Sequence, residues 1–310
     1  MALHPEIKKM LDNFKAMNLA EFNELTPDEV RSRGLAMAQA RVFPHELPPL
    51  KISDHQIPTT DGTNILGRLY QPKIITTKSL IIFYHGGGYV FGNVETHDKT
   101  CRWLATVLET PIISIDYRLA PEYPFPTPIE DGYDALVWIA KNAEKIGVPY
   151  KKLVVSGDSA GGNLATMVSL LARDRHDPKI DLQFLIYPWI SSNFDTSSYR
   201  QYATDHLLTK KDCIYFTELY MKNSAPANYS AFPLEDADLK NLPPAMVIVA
   251  ECDVLHDEGL AYAEKLRTAG NTVYEYEAEG MIHGFLNQFP IPASYNAVQD
   301  ILAKLQPLLQ

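Results

Sequence analysis

Short apolar runs recur along the chain at 79–84, 112–117, 153–156, 182–187, 245–250 and 272–276, and most are separated by stretches long enough for a helix. Runs of this length, rich in Ile, Val and Leu and lacking polar alternation, read as strands buried on both faces. Parallel neighbours need a crossover of a dozen or more residues, so the rhythm predicts a mostly parallel, helix-covered sheet. Two more strands precede it, at about 52–58 and 64–70. Asp61-Gly62 between them is a hairpin signal, which makes this pair antiparallel. The expectation is an α/β fold on an eight-stranded sheet with helices on both faces.

The rhythm lapses for about 55 residues between Pro188 and Pro243, too long for a bare loop in a compact domain. Residues 188–243 are therefore read as an insertion. It has its own helix near 209–221 bearing Ile214, Tyr215, Phe216, Leu219 and Tyr220. Aromatic stripes of this kind usually fill a core, and each residue has only a minor chance of lining a pocket. Residues 5–39 form a helical segment in which Ile7, Met10, Leu11 and Phe14 recur at helical spacing. The expected organisation is a helical part over 1–45, a core over 46–187, the insertion over 188–243 and the remainder of the core over 244–310.

Gly157-Asp158-Ser159-Ala160-Gly161 joins one apolar strand to a helix-prone run, Asn163 to Val168. A GxSxG pentapeptide between strand and helix is a nucleophile elbow, a cramped turn whose flanking positions must lack side chains. It lifts the Ser159 hydroxyl clear of the sheet and leaves the first N–H groups of the helix unpaired beside it. Without that context the motif would be an ordinary corner with a serine cap.

Upstream, the 79–84 strand runs directly into His85-Gly86-Gly87-Gly88. Successive glycines let backbone N–H groups converge on one point, as a developing oxyanion requires. A phosphate-binding loop is the rival, but no Lys-Ser or Lys-Thr follows the glycines. The candidate donors are Gly86, Gly87, Gly88 and Ala160; Gly87, Gly88 and Ala160 are preferred, and which two glycines donate stays open.

A serine nucleophile needs a base, and the base needs an orienting acid. Of the nine histidines, His256 and His283 lie well downstream of Ser159 with an acid between. His176 is assigned to the helix after the elbow and His206 to the insertion. His283 lies in a glycine-flanked loop, Glu279 to Phe285, where a catalytic base belongs. Asp253 follows the 245–250 strand just before a helix, at the end of a sheet strand where ligand-facing groups collect. It could equally cap that helix. Glu251 and Asp257 are rivals, and the strand alternation favours Asp253.

With these motifs in place, the chain resembles the hormone-sensitive-lipase-like branch of the α/β-hydrolases, the bacterial family IV carboxylesterases. His85-Gly86-Gly87-Gly88, Asp116-Tyr117-Arg118-Leu119-Ala120-Pro121-Glu122, Pro124-Phe125-Pro126 with Asp131, Gly157 to Gly162, Asp253 and His283-Gly284-Phe285 carry the resemblance in order and spacing. It implies an α/β-hydrolase fold with a helical cap built from the N-terminal segment and the insertion. It further implies Ser159 as nucleophile, His283 as base and then acid, Asp253 as orienter, and an architectural role for Asp116, Arg118 and Glu122. The implied reaction is hydrolysis of short- to medium-chain acyl esters through an acyl-enzyme. An arylamide deacetylase with the same triad and a non-catalytic receptor on this scaffold are the alternatives. The chain departs from the family near the acid, where Val254 and His256 stand in place of proline and arginine. His256 is assigned a surface or supporting position.

The formal charge of −10 disfavours nucleic acid and anionic membrane surfaces as partners, and mildly disfavours anionic substrates. No apolar run approaches the roughly 18 residues of a membrane span, and the first residues lack a secretion signal, so a cytoplasmic location is expected. Three cysteines without CxxC spacing read as buried free thiols. No metal and no cofactor are expected, the partner is a small-molecule ester, and the oligomeric state is left open.

Overall fold

In the computed structural model, which describes residues 2–43 and 46–310, the chain begins with α1 (Pro5–Ala16) and α2 (Pro27–Ala40), then β1 (Lys51–Pro58), β2 (Asn64–Gln71) and β3 (Ser79–Tyr84). There follow α3 (Asp98–Leu108), β4 (Ile112–Asp116), α4 (Thr127–Asn142), β5 (Lys152–Asp158), α5 (Ala160–Asp174) and β6 (Leu182–Ile186). Three helices, α6 (Ser197–Gln201), α7 (Lys210–Met221) and α8 (Pro233–Asp236), precede β7 (Ala245–Cys252), α9 (His256–Thr268), β8 (Val273–Ile282) and α10 (Pro292–Leu305). The first expected segment boundary falls beside Pro44 and His45, which lie outside the described residues.

All eight strands form one sheet in the order β1-β2-β4-β3-β5-β6-β7-β8. β1 with β2 and β2 with β4 are antiparallel; every other pair is parallel. β3 sits between β4 and β5, so the chain steps outward from β3 to β4 and then crosses back over β3 to reach β5. Right-handed crossovers in opposite directions put α3 on one face and α4 on the other. Trp103 of α3 stacks on Tyr295 of α10 at 5.2 Å, which places α10 on the face of α3. The reversal also opens a crevice beyond the carboxyl ends of β3 and β5, the place where open α/β sheets take ligands.

The insertion and the N-terminal segment lock together. Thr209 caps α7, and Asp212 reciprocates by accepting from the Thr209 N–H. The other Asp212 oxygen accepts from the backbone N–H and the side-chain amide of Asn23, both at 3.2 Å. Tyr215 Oη donates to the Leu25 carbonyl at 2.7 Å. One buried carboxylate thus starts a helix and fastens it to a distant segment.

Of the residues assigned architectural roles, Arg118 grips the fully buried Asp131, donating at 2.6 Å from Nη2 and 2.9 Å from Nε. Glu122 accepts two bonds from Arg31. Asp116 accepts from the Val94 N–H at 3.3 Å. Burial pushes the Asp116 carboxyl up to about 6, against the opposing effects of the Val94 N–H and Arg68. Between about pH 4 and 6 the folded chain then holds this proton more tightly than the unfolded chain, so stability falls as pH rises through that window. Asp116→Asn is expected to gain in Tm relative to the wild type between pH 4.5 and 7.5, by about 2–5 °C. Paired melting curves check this, and a difference that does not vary with pH would contradict it.

All three cysteines are free and buried. His176 lies just past the end of α5, at φ +61, and not inside the helix as expected. Among the described residues no helix is long and apolar enough to cross a membrane.

Candidate active site

β5 ends at Asp158 and α5 begins at Ala160, leaving Ser159 alone to make the corner at φ +57, ψ −121. A side-chain-bearing residue is held in that region only when its surroundings over-determine it. Here the Ser159 N–H donates to the Ile186 carbonyl at 2.9 Å and the Ser159 carbonyl accepts from the Trp189 N–H at 3.1 Å. Both bonds come from the adjoining strand β6 and its continuation, so the elbow is fastened sideways to the sheet.

His283 Nε2 lies 2.9 Å from Ser159 Oγ, and His283 Nδ1 lies 2.7 Å from Asp253 Oδ2. Asp253 is 1% exposed and His283 9%. The second Asp253 oxygen accepts from the Leu255 N–H at 3.0 Å, so this carboxylate both opens the turn into α9 and faces the imidazole. A bulge between Ala250 and Cys252 shifts the β7–β8 register just before Asp253. Bulges re-aim side chains in this way beside many sites. Glu251 does not compete, because its carboxylate accepts from the Gly280 N–H at 2.6 Å. Asp257 accepts from the Ser198 N–H and pairs with His256. His256 bridges Asp257 and Glu277 at 3.1 and 3.2 Å, away from the serine.

The histidine's setting differs from expectation in one respect. β8 extends through Ile282, pairing Ala278 with Ala250 and Ile282 with Cys252. His283 therefore follows directly on a sheet strand, and the expected loop over Glu279 to Phe285 is mostly strand. The ring of Tyr187 packs against the His283 ring at 4.7 Å, limiting its tilt.

Gly86 needs correction as a candidate donor. Its N–H donates to Asp158 Oδ1 at 2.9 Å and is spent inside the fold. Among the described residues no acceptor takes the N–H groups of Gly87 or Gly88, and Ala160 opens α5 without an intrahelical partner. Asp158 also meets His97 Nε2 at 3.2 Å and accepts from Asn287 Nδ2 at 3.3 Å. Burial alone would raise the Asp158 carboxyl, but His97 and the Gly86 N–H together hold it below its ordinary value. The buried His85 is pushed down to about 3, chiefly by desolvation and then by His97, so it is neutral. It stacks on Tyr117 at 4.2 Å and supports the glycine turn from behind.

Thr96, His97 and Asp158 form a second line of hydroxyl, imidazole and carboxylate, with Thr96 Oγ1 2.9 Å from His97 Nδ1. It does not qualify as a nucleophilic site. Thr96 Oγ1 donates to the Asn93 carbonyl and accepts from the Asn93 N–H, which ties the hydroxyl into a local turn.

A cavity of about 130 Å³ opens over Ser159 and His283. Its apolar side gathers Phe22 from the N-terminal segment, Phe91 from the loop after the glycines, and Phe216 from α7. Their ring centroids lie 5.4 to 6.1 Å apart. Of the five aromatic and aliphatic residues considered on the insertion helix, only Phe216 lines this cavity; Tyr220 is buried beneath, stacked on Tyr89 at 4.0 Å.

A family model described as alpha/beta hydrolase fold matches residues 81–287. Carboxylesterase NlhH of Mycobacterium tuberculosis is 33% identical over 313 residues, covering 99% of this chain and 96% of its own. Ethyl acetate hydrolase of Pseudomonas putida is 34% identical, covering 92% of each chain. The crystal structure of a thermostable esterase from Pseudomonas putida superposes with a TM-score of 0.92 at 32% identity, covering 100% of this chain and 98% of that one. With the eight-stranded sheet and the serine elbow in place, these similarities show that the chain belongs to the alpha/beta hydrolase fold family, within its hormone-sensitive-lipase-like carboxylesterases.

Proposed function

We propose that this carboxylic ester hydrolase works through Ser159 as nucleophile, His283 as general base and then acid, and Asp253 as the group that orients the imidazole. The observation that carries the reading is the unbroken line from Ser159 Oγ through His283 to Asp253, at 2.9 and 2.7 Å. Asp253 accepts a hydrogen bond from the Nδ1–H, which leaves the Nε2 lone pair facing the hydroxyl. As Oγ bonds to the ester carbonyl carbon, its proton passes to Nε2. The carbonyl oxygen becomes an oxyanion, held by the Gly87, Gly88 and Ala160 N–H groups. Collapse breaks the bond to the alcohol oxygen, which takes the proton from His283. Water, deprotonated by the same imidazole, then attacks the acyl-enzyme and releases the acid.

The N-terminal helical segment and the 188–243 insertion together act as a cap that closes the acyl or alcohol pocket. Their meeting at Phe22 and Phe216 supports this reading. An apolar cavity near 150 Å³ holds a benzene ring, so the 130 Å³ over Ser159 suits short chains better than long ones. A fluorophosphonate probe is expected to label the folded protein at Ser159 and to lose that label on heating. Across 4-nitrophenyl esters of two to sixteen carbons, kcat/KM is expected to peak near about four to six carbons and to fall at least about tenfold by twelve. Labelling at another residue, or a peak beyond ten carbons, would contradict the assignment.

A further inference from the structure

The cavity over Ser159 carries an arginine that the reaction does not use. Arg41 lines it together with Ser159, His97, Asp158, His283 and Asn287. Its placement is fixed by the main chain: α2 ends at Ala40, and Lys99 Nζ donates to the carbonyls of Ala38, Gln39 and Arg41 at 3.4, 2.9 and 2.5 Å. The side chain itself has no matching restraint. Among the described residues no carboxylate pairs with the guanidinium and no acceptor takes a hydrogen bond from it, in a chain where Arg31, Arg68, Arg102, Arg118, Arg173, Arg175, Arg200 and Arg267 all have carboxylate partners. Asp158, the carboxylate that shares the cavity lining with it, is taken up by His97, the Gly86 N–H and Asn287. Desolvation weakens the guanidinium's hold on its proton, and only Tyr187 and Asp158 oppose that.

A guanidinium removed from water without a counter-ion is unfavourable unless something supplies one. Of the other polar residues lining the cavity, His97 and Asn287 are committed to Asp158. We infer that Arg41 is a specificity residue that receives a carboxylate borne by the substrate, so that the enzyme accepts esters carrying a free carboxylate on one arm, such as half-esters of short dicarboxylic acids. The net charge of −10 argues against anionic substrates only at long range; within a mostly apolar cavity the local charge decides. A planar fork of N–H donors matches a carboxylate in two parallel bonds.

This inference rests on Ser159 chemistry in the same cavity, and the test separates the two. Mono-(4-nitrophenyl) glutarate is compared with 4-nitrophenyl pentanoate, and 4-acetoxybenzoate with phenyl acetate, in the wild type, Arg41→Met and Arg41→Lys. The readout is the ratio of kcat/KM for each anionic ester to its neutral partner. In Arg41→Met the ratio for at least one pair is expected to fall tenfold or more, the range for a lost charge-assisted bond, with Arg41→Lys between it and the wild type. A fall smaller than tenfold in both pairs overturns the inference. Competitive inhibition of the wild type serves if Arg41→Met does not fold: glutarate is expected to inhibit at least tenfold more tightly than glutaramide, and equal inhibition overturns the inference. Turnover of the neutral esters that survives in Ser159→Ala would instead overturn the reading of the triad.

Discussion

Ser159→Ala is expected to lose about 10⁵- to 10⁶-fold in kcat toward 4-nitrophenyl butyrate while melting within a few degrees of the wild type. The loss follows from geometry: among the described residues no other hydroxyl stands 2.9 Å from His283 Nε2 beside the free N–H groups of Gly87, Gly88 and Ala160. Stability is spared because alanine at φ +57 is strained as serine is, and among the described residues Ser159 Oγ is bonded only to the imidazole. His283→Ala is expected to fall by a similar factor, and the double variant scarcely further, since neither group acts without its partner. Asp253→Ala should lose about 10⁴-fold, because the imidazole is left without its orienting acceptor. Ser159→Gly separates strain from chemistry: it should be as inactive as Ser159→Ala yet more stable by about 1–3 kcal/mol. Single-turnover measurements and melting curves on the four single variants check these outcomes. Retention of more than about 1% of wild-type kcat in Ser159→Ala would remove the serine mechanism.

The strands could be read in the sequence where burial on both faces made them continuous apolar runs. β3 is buried at every position and β5 at all but its first. β8 was legible only in its first half, because Glu277, Glu279 and Gly280 look like loop residues; pairing with β7 beyond the bulge is what keeps them extended. The three candidate triad residues could be read because each sits where a strand gives out, a position that leaves a mark in sequence. The choice among the glycines could not. It depends on the Asp158 carboxylate taking the Gly86 N–H across 72 positions of sequence, a contact without a local signature. His97, Asn287 and Arg41 were missed for the same reason: they reach the cavity from a loop, a 3-10 turn and a helix end that carry no motif. Phe216 was one of several aromatics on its helix, and only docking of α7 on the N-terminal segment picks it out. Tertiary contact, and not local pattern, decides all of these.

Gly161→Ala should produce a large loss of stability for a single added methyl. A β-carbon there would stand 2.0 Å from the Tyr84 carbonyl oxygen, 2.6 Å from the Tyr84 carbonyl carbon and 2.7 Å from the His85 oxygen. All three are backbone atoms at the end of β3, so no rotamer change relieves the contact. Either α5 backs away from β3 or the chain after Tyr84 moves, and both carry parts of the proposed oxyanion site. Gly147 provides the control. It lies at φ +84 with nothing within 4 Å of its would-be β-carbon, so alanine there meets only backbone strain, about 1 kcal/mol. Gly161→Ala is therefore expected to lower stability by about 4 kcal/mol or more, or roughly 10 °C in Tm, against a few degrees for Gly147→Ala. Whatever folded protein remains should also lose activity, since a displacement near 1 Å between Ala160 and Gly87 spoils donors that must meet at one oxygen. Thermal melts and kcat on the refolded fraction test both parts. If Gly161→Ala melts within 2 °C of Gly147→Ala, the close approach of α5 to β3 is not what holds the elbow in place.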